Sequence, residues 1–469
     1  MDYPPGPTQK LPLVQFLNFL RDPIGVLVNL SRYGDISHFK FGNQHIYFLN
    51  HPDYIRDVLV TYDTRFIKSR GLQLAKKVLG EGLLTSEGTT HRNQRQLIHP
   101  AFNQDRLTTY ATIMTEYILR ISNRWKDGDT LDVHKEFMQL TLAIVCKALF
   151  GFDIESEAEE IGDYVTTLVE YFNRARMPLG ELVEKLPLPS NRRFHYAKKQ
   201  LDTLIYRIIN EHQRTRITHV NDLPRHNHHG DLISILLANK NITSDNGNYV
   251  ISKLQLRDNV MTIFLAGHET VANALTWTFY LLSQNNREEE KLYEEIDSIL
   301  GNDRLPTAAD IPKLEFTRKV LSESMRLYPP AWAIGRQAIQ DCKIGGYTIL
   351  AGSTILMSQY LMHRDKRFFP EPGRFNPERW NSETRTNLPR FSYFPFGGGP
   401  RACIGEPFAL NEGILAIAII VRRWKMRLEA GHPIALQPLV TLRPKYGMRM
   451  RLIRRNARFA DRLTSEDGR

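Results

Sequence analysis

Apolar residues at three- and four-residue spacing dominate the stretch from residue 51 to residue 330 and predict helices along it. The longest such pattern covers 251–283, and because its second half is apolar on nearly all sides, we expect this helix to be buried. At 1.5 Å per residue it would span about 45–50 Å. Shorter helices are predicted over 22–33 and just before Pro329 and Pro330, which cannot continue a helix.

Strand patterns lie near the two ends of the chain. Residues 35–50 predict a β-hairpin, because two runs of β-branched and aromatic residues surround Gly42 and Asn43. Short strands and turns follow residue 330, and the tail is strand-like again. The patterns therefore predict mainly helices, with a smaller share of strands.

The chain is basic, with a formal net charge of +11 over 469 residues. This charge fits either a well-solvated surface or a basic face that docks an acidic protein or an anionic membrane. Nucleic acid is disfavoured as a partner, because the Lys and Arg residues are scattered and no recognisable nucleic-acid module occurs.

Three cysteines, Cys146, Cys342 and Cys403, lie far apart, which suits neither a disulfide framework nor a zinc site and fits a reducing cytoplasm. The first twenty residues lack a basic leading region, and Gln15 and Asn18 interrupt their apolar run. They therefore predict neither a secretory signal nor a transmembrane anchor. We expect a cytoplasmic protein.

Histidines at 225–230, in the sequence RHNHHG, form the most metal-like cluster, but their polar surroundings favour an exposed loop over a metal site.

One glycine-rich segment, FPFGGGPRACIG, places Cys403 directly before a predicted helix. The free N–H groups at a helix N-terminus stabilise a thiolate. Arg401, two residues earlier, would point the same way in an extended loop and supply a cation. The residues alone leave two interpretations open: a thiolate that ligates a metal beside an anionic group, or a buried cysteine at a glycine turn.

The sequence AGHET, residues 266–270, places polar groups inside the long buried helix. Gly267 costs about 1 kcal/mol there relative to alanine, and an acid beside a threonine is unfavourable in an apolar setting. We interpret the stretch as a local opening of the helix beside a reaction centre, where Glu269 and Thr270 do acid–base work. A polar interruption satisfied by the backbone is the alternative.

Phe396, Gly399, Arg401, Cys403 and Gly405 match the pattern F-x-x-G-x-R-x-C-x-G. This loop resembles the heme-binding loop of the cytochrome P450 family. The resemblance implies that Cys403 is the axial thiolate ligand of heme b iron and that Arg401 pairs with a heme propionate. Phe396 would shield the sulfur, and Gly405 would let the following helix pass close under the ring.

Other motifs follow in the family's order. AGHET resembles the family's oxygen-activation motif, in which Thr270 would hydrogen-bond O2 and water, and Glu269 would supply protons from solvent. Ala266 and Gly267 would leave room over the iron. Three further heme contacts and a buried charge triad are implied by resemblance. The propionate contacts are His91 (often Trp in the family), Arg95 and Arg336, and the structural triad is Glu323, Arg326 and Arg379.

The resemblance covers essentially the whole chain and implies one domain, 1–469, rather than the two or three that its length alone suggests. It implies a cytochrome P450-like fold, mainly α with a smaller β-rich lobe (α+β), with the long helix over the heme. The β-rich lobe would comprise mainly 35–50, 331–360 and the C-terminal strands, and the helical lobe mainly 85–330 and 404–425. The substrate pocket is expected to be apolar. Its expected lining residues are Leu72, Leu74, Phe264, Ala266, Ala331, Trp332, Ala333 and Val440.

The function implied is that of a heme-thiolate monooxygenase, a monomer that inserts one atom of O2 into a C–H bond of an apolar substrate. A long-chain fatty acid or other lipid is the leading expectation, and terpenoids, carotenoids and steroids remain open. Because no flavin or iron–sulfur segment is visible, a separate ferredoxin or flavodoxin-type donor with its reductase would supply electrons. A peroxide-using or rearranging enzyme, which Glu269 and Thr270 argue against, and a non-catalytic heme protein are the alternatives.

Overall fold

A computed structural model of the chain describes residues 3–7, 19–175, 183–184, 186–218, 231–238, 242–244, 247–249, 251–301 and 304–455. The histidines of 225–230 therefore lie outside the described residues. Among the residues that are described, no group of three or more His, Cys, Asp or Glu side chains could hold a metal ion, and no helix is long and apolar enough to cross a membrane.

Helices make up most of the described chain. In order they are α1 Pro23–Ser31, α2 Pro52–Arg56, α3 Arg70–Gln73, α4 Lys76–Leu79, α5 Gly88–Ile98, α6 Gln104–Asn123, α7 Val133–Phe150, α8 Ala158–Ala175, α9 Pro189–Thr218, α10 Leu232–Ala238, α11 Lys253–Gln284, α12 Asn286–Leu300, α13 Glu315–Leu327, α14 Gln359–Met362, α15 Ser382–Asn387 and α16 Glu406–Arg423.

The strands form small sheets. They are β1 Ile36–Phe41, β2 Gln44–Leu49, β3 Phe66–Lys68, β4 Thr130–Asp132, β5 Ile242–Ser244, β6 Gly247–Tyr249, β7 Ile334–Ala338, β8 Cys342–Ile344, β9 Tyr347–Ile349, β10 Thr354–Met357, β11 Trp424–Leu428, β12 Leu436–Pro438, β13 Leu442–Pro444 and β14 Arg449–Arg454. The largest sheet has the order β1-β2-β10-β7-β3, with β2 and β10 parallel and its other pairs antiparallel. A second sheet has the order β11-β14-β4, and β5-β6, β8-β9 and β12-β13 are two-stranded.

Helix α11 is the centre of the fold. It begins at a capping box, in which the Ser252 hydroxyl accepts from the Gln255 N–H and the Gln255 side chain accepts from the Ser252 N–H. Its 32 residues span about 48 Å, and it packs against α7, α13 and α16. This long buried helix confirms the prediction for 251–283.

The predicted hairpin and the first helix are confirmed as β1–β2 and α1. Cys146 is buried in α7 and Cys342 in β8, and both are free thiols. The sequence patterns did not predict β3 or β4, because each has only three residues and pairs with a strand far along the chain. Three residues are too few to show the alternation of apolar and polar positions that marks a strand.

Candidate active site

The loop over 394–405 is fixed by its own backbone and by one close approach. The Cys403 N–H donates to the Phe396 carbonyl at 2.9 Å. Gly399 has a φ of +68°, and a Cβ at this position would lie 1.9 Å from the Leu59 carbonyl oxygen. Glycine is therefore required at 399 by packing against protein.

Cys403 lies in this loop, three residues before the start of α16. The residue is exposed, yet desolvation by nearby atoms raises the pKa of its thiol, while the N–H groups of Gly405 and Glu406 act to lower that pKa. A Cβ at Gly405 would keep an ordinary distance of 3.9 Å to the Cys403 Sγ. An accessible sulfur that faces two N–H groups fits a thiolate metal ligand.

Five basic side chains gather beside this loop and influence one another's pKa values. Burial, with the neighbouring cations, lowers the pKa of His91 to about 3 and that of Arg336 to about 10. Among the described residues, Glu87 is the carboxylate that contacts the group, through Arg401. We call this group the basic cluster; its members are Lys68, His91, Arg95, Arg336 and Arg401.

The basic cluster carries more positive charge than Glu87 neutralises, although Lys68 is 8% exposed and Arg336 is 7% exposed. Burial, followed by repulsion from Arg336 and Arg401, lowers the pKa of Lys68 well below its usual value. Buried charges are normally paired. The surplus therefore fits a ligand with two carboxylates, such as the propionates of heme.

Two arginines of the basic cluster also hold the loop in place. Arg95 donates from Nη1 to the Ala402 carbonyl at 2.7 Å. Arg401 donates from Nη1 to the Ser86 carbonyl at 2.7 Å and pairs with Glu87 through Nη2. The structure therefore brings together the four predicted residues His91, Arg95, Arg336 and Arg401. Cys403 lies close to them, since the charge of Arg95 acts to lower the pKa of the Cys403 thiol.

The middle of α11 breaks the burial of that helix. Ala266 is exposed and Thr270 half-buried, between fully buried stretches on either side. The expected local opening of the helix is wrong: α11 is continuous, and the Thr270 hydroxyl donates to the Ala266 carbonyl at 3.0 Å. A Cβ at Gly267 would lie 2.9 Å from Val145 Cγ2, so this glycine permits close packing of α7 rather than clearance on the open side.

Glu269 lies on a different side of α11 from the exposed positions. It is 4% exposed, and its Oε1 accepts from Arg443 Nε at 2.6 Å and from the Thr441 hydroxyl. Burial alone would raise the pKa of Glu269, but the Arg443 charge and these hydrogen bonds outweigh burial and lower it. The carboxylate expected to supply protons from solvent is thus enclosed and ion-paired.

Glu323, Arg326 and Arg379 meet around one carboxylate. Arg326 donates to both Glu323 oxygens, from Nε at 2.8 Å and from Nη2 at 2.9 Å, and Arg379 Nε lies 3.4 Å from Oε1. Trp380 Nε1 and the Asn376 N–H complete the shell, each at 3.0 Å. Glu323 and Arg326 are fully buried, so each charge depends on the other.

This triad is connected to the cysteine loop. Arg326 Nη1 donates to the carbonyls of His363 at 2.9 Å and Pro372 at 2.7 Å. His363 Nε2 in turn accepts from the N–H of Phe394, the first residue of the loop, at 2.9 Å. These hydrogen bonds therefore link the triad to the loop and help to position it.

Two of the expected lining residues lie in the core. Phe264 is 0% exposed and Trp332 5% exposed. The Trp332 indole N–H donates to the Leu439 carbonyl at 3.0 Å, which holds the turn before Val440. The assignment of these two side chains to a lining surface is therefore corrected, because neither borders open space. The remaining expected residues are half-buried or exposed: Leu72, Leu74, Ala266, Ala331, Ala333 and Val440.

Four residues near the site were missed by sequence reasoning: Lys68, Glu87, Thr441 and Arg443. Lys68 ends the three-residue strand β3, which the sequence did not predict, and because lysine is seldom buried, its sequence context favoured an exposed side chain. No local pattern marks the other three, since their partners lie far along the chain.

Comparison with known proteins identifies a family for this chain. The family model for cytochrome P450 matches residues 4–450. Cyclooctatin synthase of Streptomyces melanosporofaciens is 38% identical, over 90% of this chain and 89% of that protein. Cyclooctat-9-en-7-ol 5-monooxygenase of the same organism is 34% identical, over 87% and 86%.

A solved structure is similar over the same extent. The retinoic-acid-bound cyanobacterial CYP120A1 superposes with a TM-score of 0.84 and 25% identity, covering 97% of this chain and all of that one. The family match, the relatives and this likeness all extend over nearly the full chain and agree with the described fold. The chain belongs to the cytochrome P450 family and is a heme-dependent monooxygenase with the fold of that family.

Proposed function

We propose that this enzyme hydroxylates a neutral isoprenoid of the terpenoid class, using heme held through Cys403. The observation that carries the heme site is the accessible Cys403 sulfur beside a basic cluster with surplus charge. Bound heme supplies the activation of O2 for insertion into a C–H bond. The chain's own residues would bind the heme and the substrate, orient O2 and water, and supply protons.

On the sulfur side, Cys403 would ligate the iron, and the N–H groups of Gly405 and Glu406 would favour its thiolate form. Phe396 would shield the sulfur. The basic cluster would bind the two propionates, with Lys68 as a contact added to those expected from sequence. His91, whose pKa is about 3, would donate as a neutral imidazole.

On the opposite side, exposed Ala266 would leave room for O2 and substrate, and Thr270 would orient water and O2 by hydrogen bonds. Glu269 would supply protons. The substrate would contact the apolar residues that border open space, with Val440, 49% exposed, at the tip of β12–β13.

The substrate class rests on the names of the similar proteins. The two Streptomyces relatives are named for cyclooctatin and for cyclooctat-9-en-7-ol, an isoprenoid alcohol without a carboxylate. Retinoic acid, bound in the similar solved structure, is also an isoprenoid but carries a carboxylate, so it supports the isoprenoid class and not the neutral charge. None of these names is that of a long-chain fatty acid. None of the proposed lining residues is charged. A fatty-acid carboxylate there would lose its hydration without gaining a partner.

Family members use O2 and a redox partner. We propose a separate ferredoxin or flavodoxin-type donor and a monomeric enzyme. The net charge of +11 favours an acidic donor, because opposite charge accelerates encounter.

A polycyclic terpene alcohol is expected to bind the ferric enzyme at least about tenfold more tightly than a saturated fatty acid of equal carbon number, because an unpaired buried carboxylate costs about 1–3 kcal/mol. Titrations followed by the heme absorption shift measure both affinities. The methyl ester of the same fatty acid is the control and should regain affinity. Tighter binding and hydroxylation of the free acid would contradict the terpenoid proposal. Turnover with peroxide alone would favour a peroxide-using enzyme.

Lys68→Met is expected to weaken heme binding about tenfold or more, because a hydrogen bond to a charged group contributes about 1.5–3 kcal/mol. The measurement is the rate of heme transfer to an acceptor protein. Arg92→Met, an exposed change on the helix that carries Arg95, is the control and should behave as the wild type. Unchanged heme retention in the Lys68 variant would remove Lys68 from the propionate site.

A further inference from the structure

Three consecutive residues of α11 hydrogen-bond to the backbone of residues 78–83, which run from the last turn of α4 toward α5. We call this stretch the clamped segment. The three bonds are Arg257 Nη1 to the Val78 carbonyl at 2.9 Å, the Glu81 N–H to Asp258 Oδ2 at 2.8 Å and the Leu83 N–H to Asn259 Oδ1 at 2.9 Å. All three α11 side chains are buried. A broken bond would therefore leave a buried polar group without a partner, which is costly.

Two glycines allow the clamped segment to lie directly on α11. A Cβ at Gly80, whose φ is +58°, would overlap the Asp258 carboxylate. A Cβ at Gly82 would overlap Thr262 Oγ1 and the Asp258 carbonyl oxygen. The close contact between the segment and the helix therefore depends on the absence of a side chain at both positions.

The clamped segment covers one side of α11 and ends where that side opens. Asp258, Thr262 and Ala266 follow one another at four-residue spacing and therefore lie along the same side of the helix. Asp258 and Thr262, which contact the segment, are 2% and 4% exposed. Ala266, one turn further along, is exposed and is proposed to leave room for O2 and substrate. The segment is therefore an end wall of that open space along α11.

Two further helices support this wall. Arg257 also contacts α9, where its Nε donates to Asp202 Oδ1 at 3.0 Å and its Nη2 pairs with the same carboxylate. From α5, Gln94 Nε2 donates to the Glu81 carbonyl at 2.7 Å. Side chains of α11 and α5 thus hold the segment, and Arg257 joins it to α9. Moving the wall would break several hydrogen bonds at once.

We propose that Asp258 and Asn259 are positioning residues that, with Arg257, fix this wall and thereby select a compact, ring-fused terpenoid over an open-chain one. The inference rests on the proposed terpenoid substrate and adds its shape. An open-chain alcohol is longer than a polycyclic alcohol of equal carbon number, and a wall that cannot recede excludes the longer molecule. The open chain also loses rotational freedom on binding, but it does so in any pocket. A change in selectivity when the wall is loosened therefore reports on the wall.

The first test measures this shape preference. The heme absorption shift gives the dissociation constants of geranylgeraniol and of a polycyclic terpene alcohol of equal carbon number, and their ratio should exceed one in the wild type. Asn259→Ala removes the acceptor of the Leu83 N–H and is expected to lower the ratio at least about fivefold. Asn285→Ala, the same change at the far end of α11, removes a side-chain bond to the Leu281 carbonyl and is the control. It should keep the wild-type ratio.

Hydrogen exchange of the clamped segment gives a readout that needs neither substrate nor turnover. In the heme-loaded wild type, the N–H groups of Glu81 and Leu83 are bonded to buried side chains and should exchange slowly. Asn259→Ala and Asp258→Ala should each speed exchange of the segment about tenfold or more. Asp258→Asn keeps an oxygen acceptor for the Glu81 N–H and should retain the slow exchange.

Gly82→Ala loosens the same wall without removing a hydrogen-bonding group, because its Cβ would overlap Thr262 Oγ1. It should lower the ratio and speed exchange as Asn259→Ala does, and it provides the test if that variant does not fold. Gly373→Ala is the matched control, since a Cβ there meets no atom within 4 Å. This control should follow the wild type in both readouts.

The outcomes separate this inference from the proposed function. A wild-type ratio in the Asn259 and Gly82 variants, whether or not exchange is faster, would overturn the inference alone, provided that the thiolate-type CO spectrum is intact. Equal affinity of the wild type for the two alcohols would also overturn it. A wild type that binds neither alcohol would instead overturn the proposed terpenoid substrate.

Discussion

Cys403→Ser is expected to abolish the long-wavelength Soret band of the reduced CO complex and all product formation. A serine hydroxyl is a hard, weakly acidic ligand that cannot replace a soft thiolate on iron. The fold should survive, because Cys403 is exposed and its backbone bond to Phe396 does not involve the sulfur. The measurements are the CO difference spectrum, bound heme per chain and the thermal midpoint.

Cys342→Ser makes the same chemical change at a buried thiol of β8 and is the control. It should keep the CO spectrum and product formation. A Cys403 variant with the wild-type CO spectrum would contradict the assignment of the iron ligand, whatever its activity.

Glu323→Gln is expected to destabilise the protein by about 3–5 kcal/mol, because it leaves Arg326 buried with an uncompensated charge. The loss should extend to the cysteine loop, since Arg326 holds the His363 carbonyl and His363 holds Phe394. Urea unfolding followed by circular dichroism gives the free energy, and heme retention reports on the loop.

Glu371→Gln removes the carboxylate of an exposed pair with Arg374, 3.2 Å apart, and should cost no more than about 1 kcal/mol. A cost for Glu323→Gln as small as that of this control would mean that the triad does not stabilise the core.

The local pattern of the sequence predicted α1, the β1–β2 hairpin and the long helix α11 well, because helical periodicity and turn residues act within a few positions. It also predicted Cys403 at a helix N-terminus. The pattern did not predict strands β3 and β4, because these strands are stabilised by pairing with partners far along the chain.

The sequence by itself therefore determined the main helices, the family's motifs and the chemical types at the site. Only the tertiary structure decided that Lys68 joins the basic cluster and that Phe264 is enclosed in the core. In addition, it decided that Gly399 lies too close to the Leu59 carbonyl for any side chain to fit. It also decided that Glu269 pairs with Arg443, 174 residues away. Burial and long-range pairing set these properties, and both depend on how distant segments pack rather than on neighbouring residues.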